Sequence, residues 1–267
     1  MATVAETALA PCRAITDKEV ADYIRDGWVK LEGFVRPETV ALLLDIAHQR
    51  MGDDGDSNNP YGLDQPFFNA EFGDGLSNPE VRALIGGIGR ASRRLMNRLG
   101  GVGVRYFTDF FAPKLPSGRK TRNAGNGPTD FHQDFMTFGV DRTGGMTFWI
   151  SLEDYGPEYG TMSFINGSHR LGVLGGYHKG DIRTFYPELL ELETSEPVTY
   201  RAGDVTVHSH LTAHGAGKNV TDRPRWPYVV LTQPADVCYN GGYSEAFDTA
   251  GLERDDPLPE DRFPVIG

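Results

Sequence analysis

At Gly103 the spacing of apolar residues changes from a helical period to a period of two, and this limits the fold more than any other feature. Before that point three amphipathic segments can be read. Thr16 followed by Glu19 forms a capping box, and Val20, Tyr23 and Ile24 make the first helix's apolar stripe until Gly27 stops it. Trp28 to Leu31 gives a short strand. Pro37 suits the first turn of a second helix carrying Val40, Leu43, Leu44, Ala47 and Met51 on one face. Residues 52–79 are rich in Gly, Asp, Asn and Pro and read as loop. Asn78-Pro79 opens a third helix through Leu99, with Val81, Leu84, Ile85 and Ile88 inward.

After Gly103 the strand candidates are Val104–Pro113, Phe131–Phe138, Gly145–Leu152, Thr161–Ile165, Pro197–Tyr200, Asp204–Ala213 and Trp226–Thr232. At least seven short strands behind a helical section fit a mainly β fold with flanking helices, a jelly-roll barrel. A single domain over 1–267 is expected: a helical section over about 15–102, the barrel over about 103–235, and a tail at 236–267 that wraps the body. Residues 115–129, which precede the first candidate ligand, form a basic loop and a candidate lid.

Two strand candidates carry the chemistry. In Thr129-Asp-Phe-His-Gln-Asp-Phe135, His132 and Asp134 stand two apart, so on a strand both point to one face. An HxD pair alone arises often by chance. Val207-His-Ser-His-Leu-Thr-Ala-His-Gly215 supplies further histidines. One of them with His132 and Asp134 would make a 2-His-1-carboxylate facial triad, which leaves positions open on a non-heme Fe(II) ion. Spacing does not choose among His208, His210 and His214, because all three share one strand parity. His48, His169 and His178 are not expected to be ligands.

Several motifs in order carry a resemblance: His132-Gln133-Asp134, Asn166-Gly-Ser-His169, Gly203-Asp204, His214-Gly-Ala-Gly-Lys-Asn219 and Arg225, with the opening Asp26-Gly-Trp-Val-Lys-Leu-Glu-Gly-Phe34. Over about residues 15–235 the chain resembles the phytanoyl-CoA dioxygenase family, which implies a double-stranded, cupin-like β-helix using Fe(II), 2-oxoglutarate and O2. It also implies His132, Asp134 and His214 as metal ligands. A 2-oxoglutarate carboxylate needs a cation, and the planar fork of an arginine suits it. Arg225, which begins an apolar strand, is the candidate, with Arg223 as rival. Gln133 and Lys114 match positions near the co-substrate in relatives, although Lys114 reads equally well as a surface residue. Phe110, Phe131, Phe135, Phe138 and Trp149 are candidates to line a substrate chamber. The chain departs from the family pattern at Asn166, where proline is usual and only a turn should change, and at Ala216, where a serine commonly holds the co-substrate.

The resemblance implies oxidation, most simply hydroxylation, of a C–H bond in a small organic molecule such as a secondary metabolite, with release of succinate and CO2. An intact Asp134 favours hydroxylation, desaturation or ring formation over halogenation, since halogenating relatives carry a small residue there. A zinc hydrolase would share the ligand set but not explain Arg225. A non-catalytic ligand-binding barrel is the rival from another class. A net charge of −11 argues against nucleic acid and anionic membranes as partners. No apolar run nears the roughly 20 residues of a membrane span. Met1 to Ala14 lacks the pattern of a signal peptide, and Cys12 and Cys238 read as free thiols, so a cytoplasmic location is expected. The sequence leaves the oligomeric state open.

Overall fold

The computed structural model describes residues 10–55, 71–72, 75–96, 101–118, 127–174, 180–244 and 247–267. The candidate lid therefore lies partly outside the described residues. So do most of the 52–79 loop, the end of the third helix and His178.

The helices start as their local chemistry dictates. Helix α1 (Asp17–Asp26) begins at the Thr16–Glu19 capping box, with both reciprocal bonds made, and ends on Gly27 at φ 82°. Helix α2 (Pro37–Met51) has Pro37 in its first turn. Helix α3 (Pro79–Met96) is capped by Asn78, whose Oδ1 accepts from the N–H groups of Glu80 at 2.9 Å and Val81 at 3.2 Å.

The strands are β1 (Trp28–Leu31), β2 (Glu71–Phe72), β3 (Val104–Phe111), β4 (Thr129–His132), β5 (Met146–Ser151), β6 (Met162–Phe164), β7 (Val205–Ser209), β8 (His214–Ala216) and β9 (Pro227–Pro234). They form a six-stranded antiparallel sheet in the order β1-β7-β5-β9-β3-β2 and a three-stranded one in the order β4-β8-β6. Among the described residues the two sheets share no ladder, so the jelly roll is not a closed barrel.

Strand alternation gives the large sheet two different faces. Phe148, Ile150, Val205, Val207 and Val230 pack with Leu43, Leu84, Ile85 and Ile88 of the helices in one buried core. Burying each such side chain contributes about 1.5–3 kcal/mol. The intervening residues Thr147, Trp149, His208, Val229 and Leu231 line a cavity, together with His132, His214, Gly215, Ala216 and Met162 of the small sheet. The site thus lies between the sheets.

Three expected strands are corrected. The strand expected over Phe131–Phe138 ends at His132, and Phe135–Thr137 is a 3-10 turn. Asp204–Ala213 breaks after Ser209 into a turn, then resumes as β8 in the other sheet. Pro197–Tyr200 forms no strand, only a bridge from Tyr200 to Tyr155. The C-terminal tail does wrap the body: Gly267 O accepts from Val104 N at 2.6 Å and Pro264 O from Tyr106 N at 2.9 Å.

Candidate functional site

His132 closes β4, His214 opens β8, and the two are direct register partners. Their rings lie 4.4 Å apart between centroids. Asp134 takes a helical backbone (φ −70°, ψ −33°) at the start of the 3-10 turn. It reaches the histidines by turning rather than by strand alternation. Its Oδ1 lies 3.5 Å from His132 Nε2 and 3.6 Å from His214 Nε2. One ligand atom from each of the three lies within 4.8 Å of the others, a spacing that one ion can bridge.

The groups around the cluster fix which atoms face inward. His132 Nδ1 is 2.8 Å from Asp130 O, and His214 Nδ1 is 3.0 Å from Thr212 O. Both Nδ1 atoms therefore carry the proton, and both Nε2 lone pairs are left for a metal. Asp134 Oδ2 accepts from Thr147 Oγ1 at 2.8 Å and stands 3.1 Å from His208 Nε2. Oδ1 alone then faces the two histidines. Burial raises the Asp134 carboxyl, but His214, His132 and His208 outweigh it and hold it well below the usual carboxylate range. Burial, then His208, drives His214 well below the ordinary imidazole value. A carboxylate oxygen and two imidazole Nε2 atoms make a donor set that suits a divalent metal. Gly215 belongs to this construction: a Cβ there would lie 2.8 Å from Phe131 Cδ2 and 2.9 Å from Thr129 O.

Arg225 lines the same cavity, 6% exposed, with its guanidinium 5.0 Å from the Trp149 ring centroid. One of its nitrogens donates to Gly160 O, while its buried Nε has no partner. Lys114 is 3% exposed, and its Nζ donates only to Thr129 Oγ1, at 3.4 Å. Lys114 and Arg225 are paired in an antiparallel bridge, so their side chains leave the same face. Burial, then the charge of Arg225, brings the Lys114 ammonium down to about 6. Burial brings Arg225 down to about 10. Among the described residues neither cation meets a carboxylate. Arg225 inside the cavity, with Lys114 buried behind it, places positive charge beside the histidine–carboxylate cluster.

Of the candidate chamber residues, Phe110, Phe138 and Trp149 line the cavity. Phe131 does not; it packs against the Ile165 cluster under Arg183, whose Cζ is 4.0 Å from its ring. Phe135 lies at the edge of another core cluster. The structure also turns Gln133 away from the cavity. Its amide donates to Leu211 O at 2.6 Å and Gly172 O at 3.0 Å and accepts from Leu174 N at 2.8 Å, tying two loops together. Lys114 is buried, which corrects the surface reading. Arg223 is exposed and donates to Tyr159 OH at 2.6 Å. His210 is buried against Phe138, where burial depresses it to about 3. The sequence reading missed Thr147, whose only signal is a hydroxyl within the apolar run Met146-Thr-Phe-Trp-Ile150, and Thr129, which lines the cavity.

The family described as phytanoyl-CoA dioxygenase matches residues 23–226. A curated relative from Stutzerimonas stutzeri, a probable alpha-ketoglutarate-dependent hypophosphite dioxygenase, is 26% identical over 251 residues, covering 86% of this chain and 84% of that protein. Among solved structures, the epimerase SnoN from nogalamycin biosynthesis in complex with Fe3+, alpha ketoglutarate and nogalamycin RO is 25% identical, with a TM-score of 0.74 over 94% of this chain and 98% of that one. The carbocyclase SnoK from the same biosynthesis has a TM-score of 0.75 at 23% identity, covering 95% and 97%. At that identity the likeness is one of fold.

Proposed function

The chain belongs to the phytanoyl-CoA dioxygenase family of iron- and 2-oxoglutarate-dependent oxygenases, and from that premise we propose that it hydroxylates a C–H bond of a small, largely apolar organic molecule. The observation that carries the reading is Arg225, with no carboxylate partner among the described residues, in one cavity with His132, Asp134 and His214, and with Lys114 bridged behind it. Fe(II) with 2-oxoglutarate supplies the oxidising power, releasing succinate and CO2.

The protein's residues position and exclude. His132 Nε2, His214 Nε2 and Asp134 Oδ1 would hold the Fe(II) ion. Arg225 would hold the distal carboxylate of 2-oxoglutarate by its fork, with the charge of Lys114 behind it. Trp149 covers the guanidinium and keeps water from it. Phe110, Phe138, Val229 and Leu231 form the apolar wall for substrate. Among the described residues, Arg225 is the cavity's one cationic lining group. Once 2-oxoglutarate takes it, no cation among the described lining residues is left for an oxyanion such as the hypophosphite named for the curated relative. An uncharged organic substrate suits the apolar wall better.

Succinate release by the Fe(II)-loaded protein tests this, with candidate compounds screened for stimulation. Stimulation by apolar compounds is expected. Stimulation by hypophosphite, with none by any organic compound, would contradict the substrate class.

A further inference from the structure

We propose that Thr108 orients the substrate and narrows its class: the Thr108 hydroxyl hydrogen-bonds a neutral oxygen, a carbonyl or a hydroxyl, on an otherwise apolar molecule. The inference rests on the substrate reading above and deepens it.

A β-bulge aims this side chain. Tyr106 pairs with Thr232 and Thr108 with Leu231, so β3 takes one extra residue, Phe107, between them. In an unbroken strand Tyr106 and Thr108 would share a face. Across the bulge they part: Tyr106 packs in the core beneath the helices, while Thr108 lines the cavity. Bulges re-aim side chains in this way beside functional sites.

The ladders place Thr108 along the cavity. It is in register with Leu231, and Leu231 with Thr147, whose hydroxyl donates to Asp134 Oδ2. Thr108 thus stands in the row that supports Asp134, two strands and about 10 Å from Thr147. The same β3–β9 register continues to the Lys114–Arg225 bridge, roughly 20 Å along the strand from Thr108. Phe110 and Ala112 line the cavity between the two ends, so Thr108 is remote from the cations read as holding the co-substrate.

The other polar groups of the wall are engaged. The hydroxyls of Thr147 and Thr137 donate to Asp134, His208 stands on the same carboxylate, and Thr129 contacts Lys114 at the far end. Thr108 is 8% exposed, and its hydroxyl makes no hydrogen bond among the described residues. It faces the cavity beside Leu231 and Phe110, in a wall that is otherwise apolar there. A hydroxyl both donates and accepts, so it serves a carbonyl or a hydroxyl equally, and it carries no charge to attract an ion. A few placed polar groups in an apolar pocket are what fix a ligand's orientation.

Anaerobic calorimetry on the protein loaded with Fe(II) and 2-oxoglutarate tests this with two matched pairs, indanone against indane and tetralone against tetralin. Thr108→Val keeps the shape and removes the hydroxyl. It should weaken binding of each ketone roughly three- to tenfold, the value of one neutral hydrogen bond. Binding of each hydrocarbon should not weaken. Thr108→Ser should bind the ketones close to wild type. Affinity for 2-oxoglutarate should be the same in all three proteins, which separates a lost hydrogen bond from a disturbed β3. Ketone binding unchanged in Thr108→Val, or weakened no more than hydrocarbon binding, would overturn the proposal and leave the apolar-substrate reading standing. So would a wild type that binds the hydrocarbons but neither ketone. A wild type that binds none of the four compounds would remove that reading and this one with it.

Discussion

His208 Nε2 stands 3.1 Å from Asp134 Oδ2, the oxygen turned away from His132 and His214. With Thr147 Oγ1 at 2.8 Å on the same atom, it fixes the carboxylate plane so that Oδ1 faces the metal position. Groups that orient a ligand in this way typically contribute 10–100-fold to metal affinity. His208→Ala should weaken Fe(II) binding by about that factor, with the fold intact by circular dichroism, and Thr147→Val should act in the same direction. Unchanged affinity in both would mean that Asp134 is held by its turn alone.

Gly215 predicts a second route to the same loss. A methyl at this position would press on Thr129 O and Phe131, both in β4, the strand that carries His132. Gly215→Ala should therefore lower iron affinity without touching a ligand. The measurement is an anaerobic Fe(II) titration, and wild-type affinity would show that β4 yields without moving His132.

Arg225 and Arg223 are separated by burial. Arg225 is 6% exposed with an unpartnered Nε, while Arg223 bonds Tyr159 at the surface. Arg225→Ala should cost 2-oxoglutarate binding about 2–5 kcal/mol, much of it from leaving a buried carboxylate unpaired. Arg225→Lys should recover part of this, since a point charge cannot reproduce the fork. Arg223→Ala should change little, and a larger loss there would exchange the roles of the two residues.

Asp204 supports the fold rather than the chemistry. Its carboxylate accepts from Gly33 N at 2.8 Å, Arg201 N at 2.9 Å and Lys30 Nζ at 2.9 Å. Burial raises its pKa, but these donors outweigh burial and leave it below the ordinary value. A folded pKa below the unfolded one gives stability that is present above the unfolded value and is lost as pH falls through the folded one. Asp204→Asn should cost about 1.5–3 kcal/mol near neutral pH. Its difference from wild type should shrink on acidification below about pH 4. A difference that stays constant from neutral to strongly acidic pH would contradict this account.

The sequence carried the helix starts and the mainly β class well, because each rests on a local rule, and the candidates His132, Asp134, His214 and Arg225, the last two taken from the family resemblance, line one cavity. It failed where the chain leaves regular structure. Strand parity put His208, His210 and His214 on one face, but the turn after Ser209 sends β7 and β8 into different sheets. His208 and His214 then approach the cavity from opposite sides, and His210 is buried behind Phe138. Asp134 met its partners for a reason that spacing does not encode, a 3-10 turn in place of a strand. Asn166 was expected to alter only a turn. Its Oδ1 accepts from Trp28 Nε1 at 2.7 Å, and Trp28 stacks on Phe164 at 4.4 Å, joining β1 to the small sheet. A contact across 138 residues leaves no local trace.

The most direct test of the central claim is the mass of both products formed under 18O2 in chloride buffer, with a substrate found by succinate release. Hydroxylation at a centre held by His132, Asp134 and His214 predicts one labelled oxygen in succinate, one in the organic product, and no chlorine. A chlorinated product, or an organic product with no label and two hydrogens fewer, would contradict it.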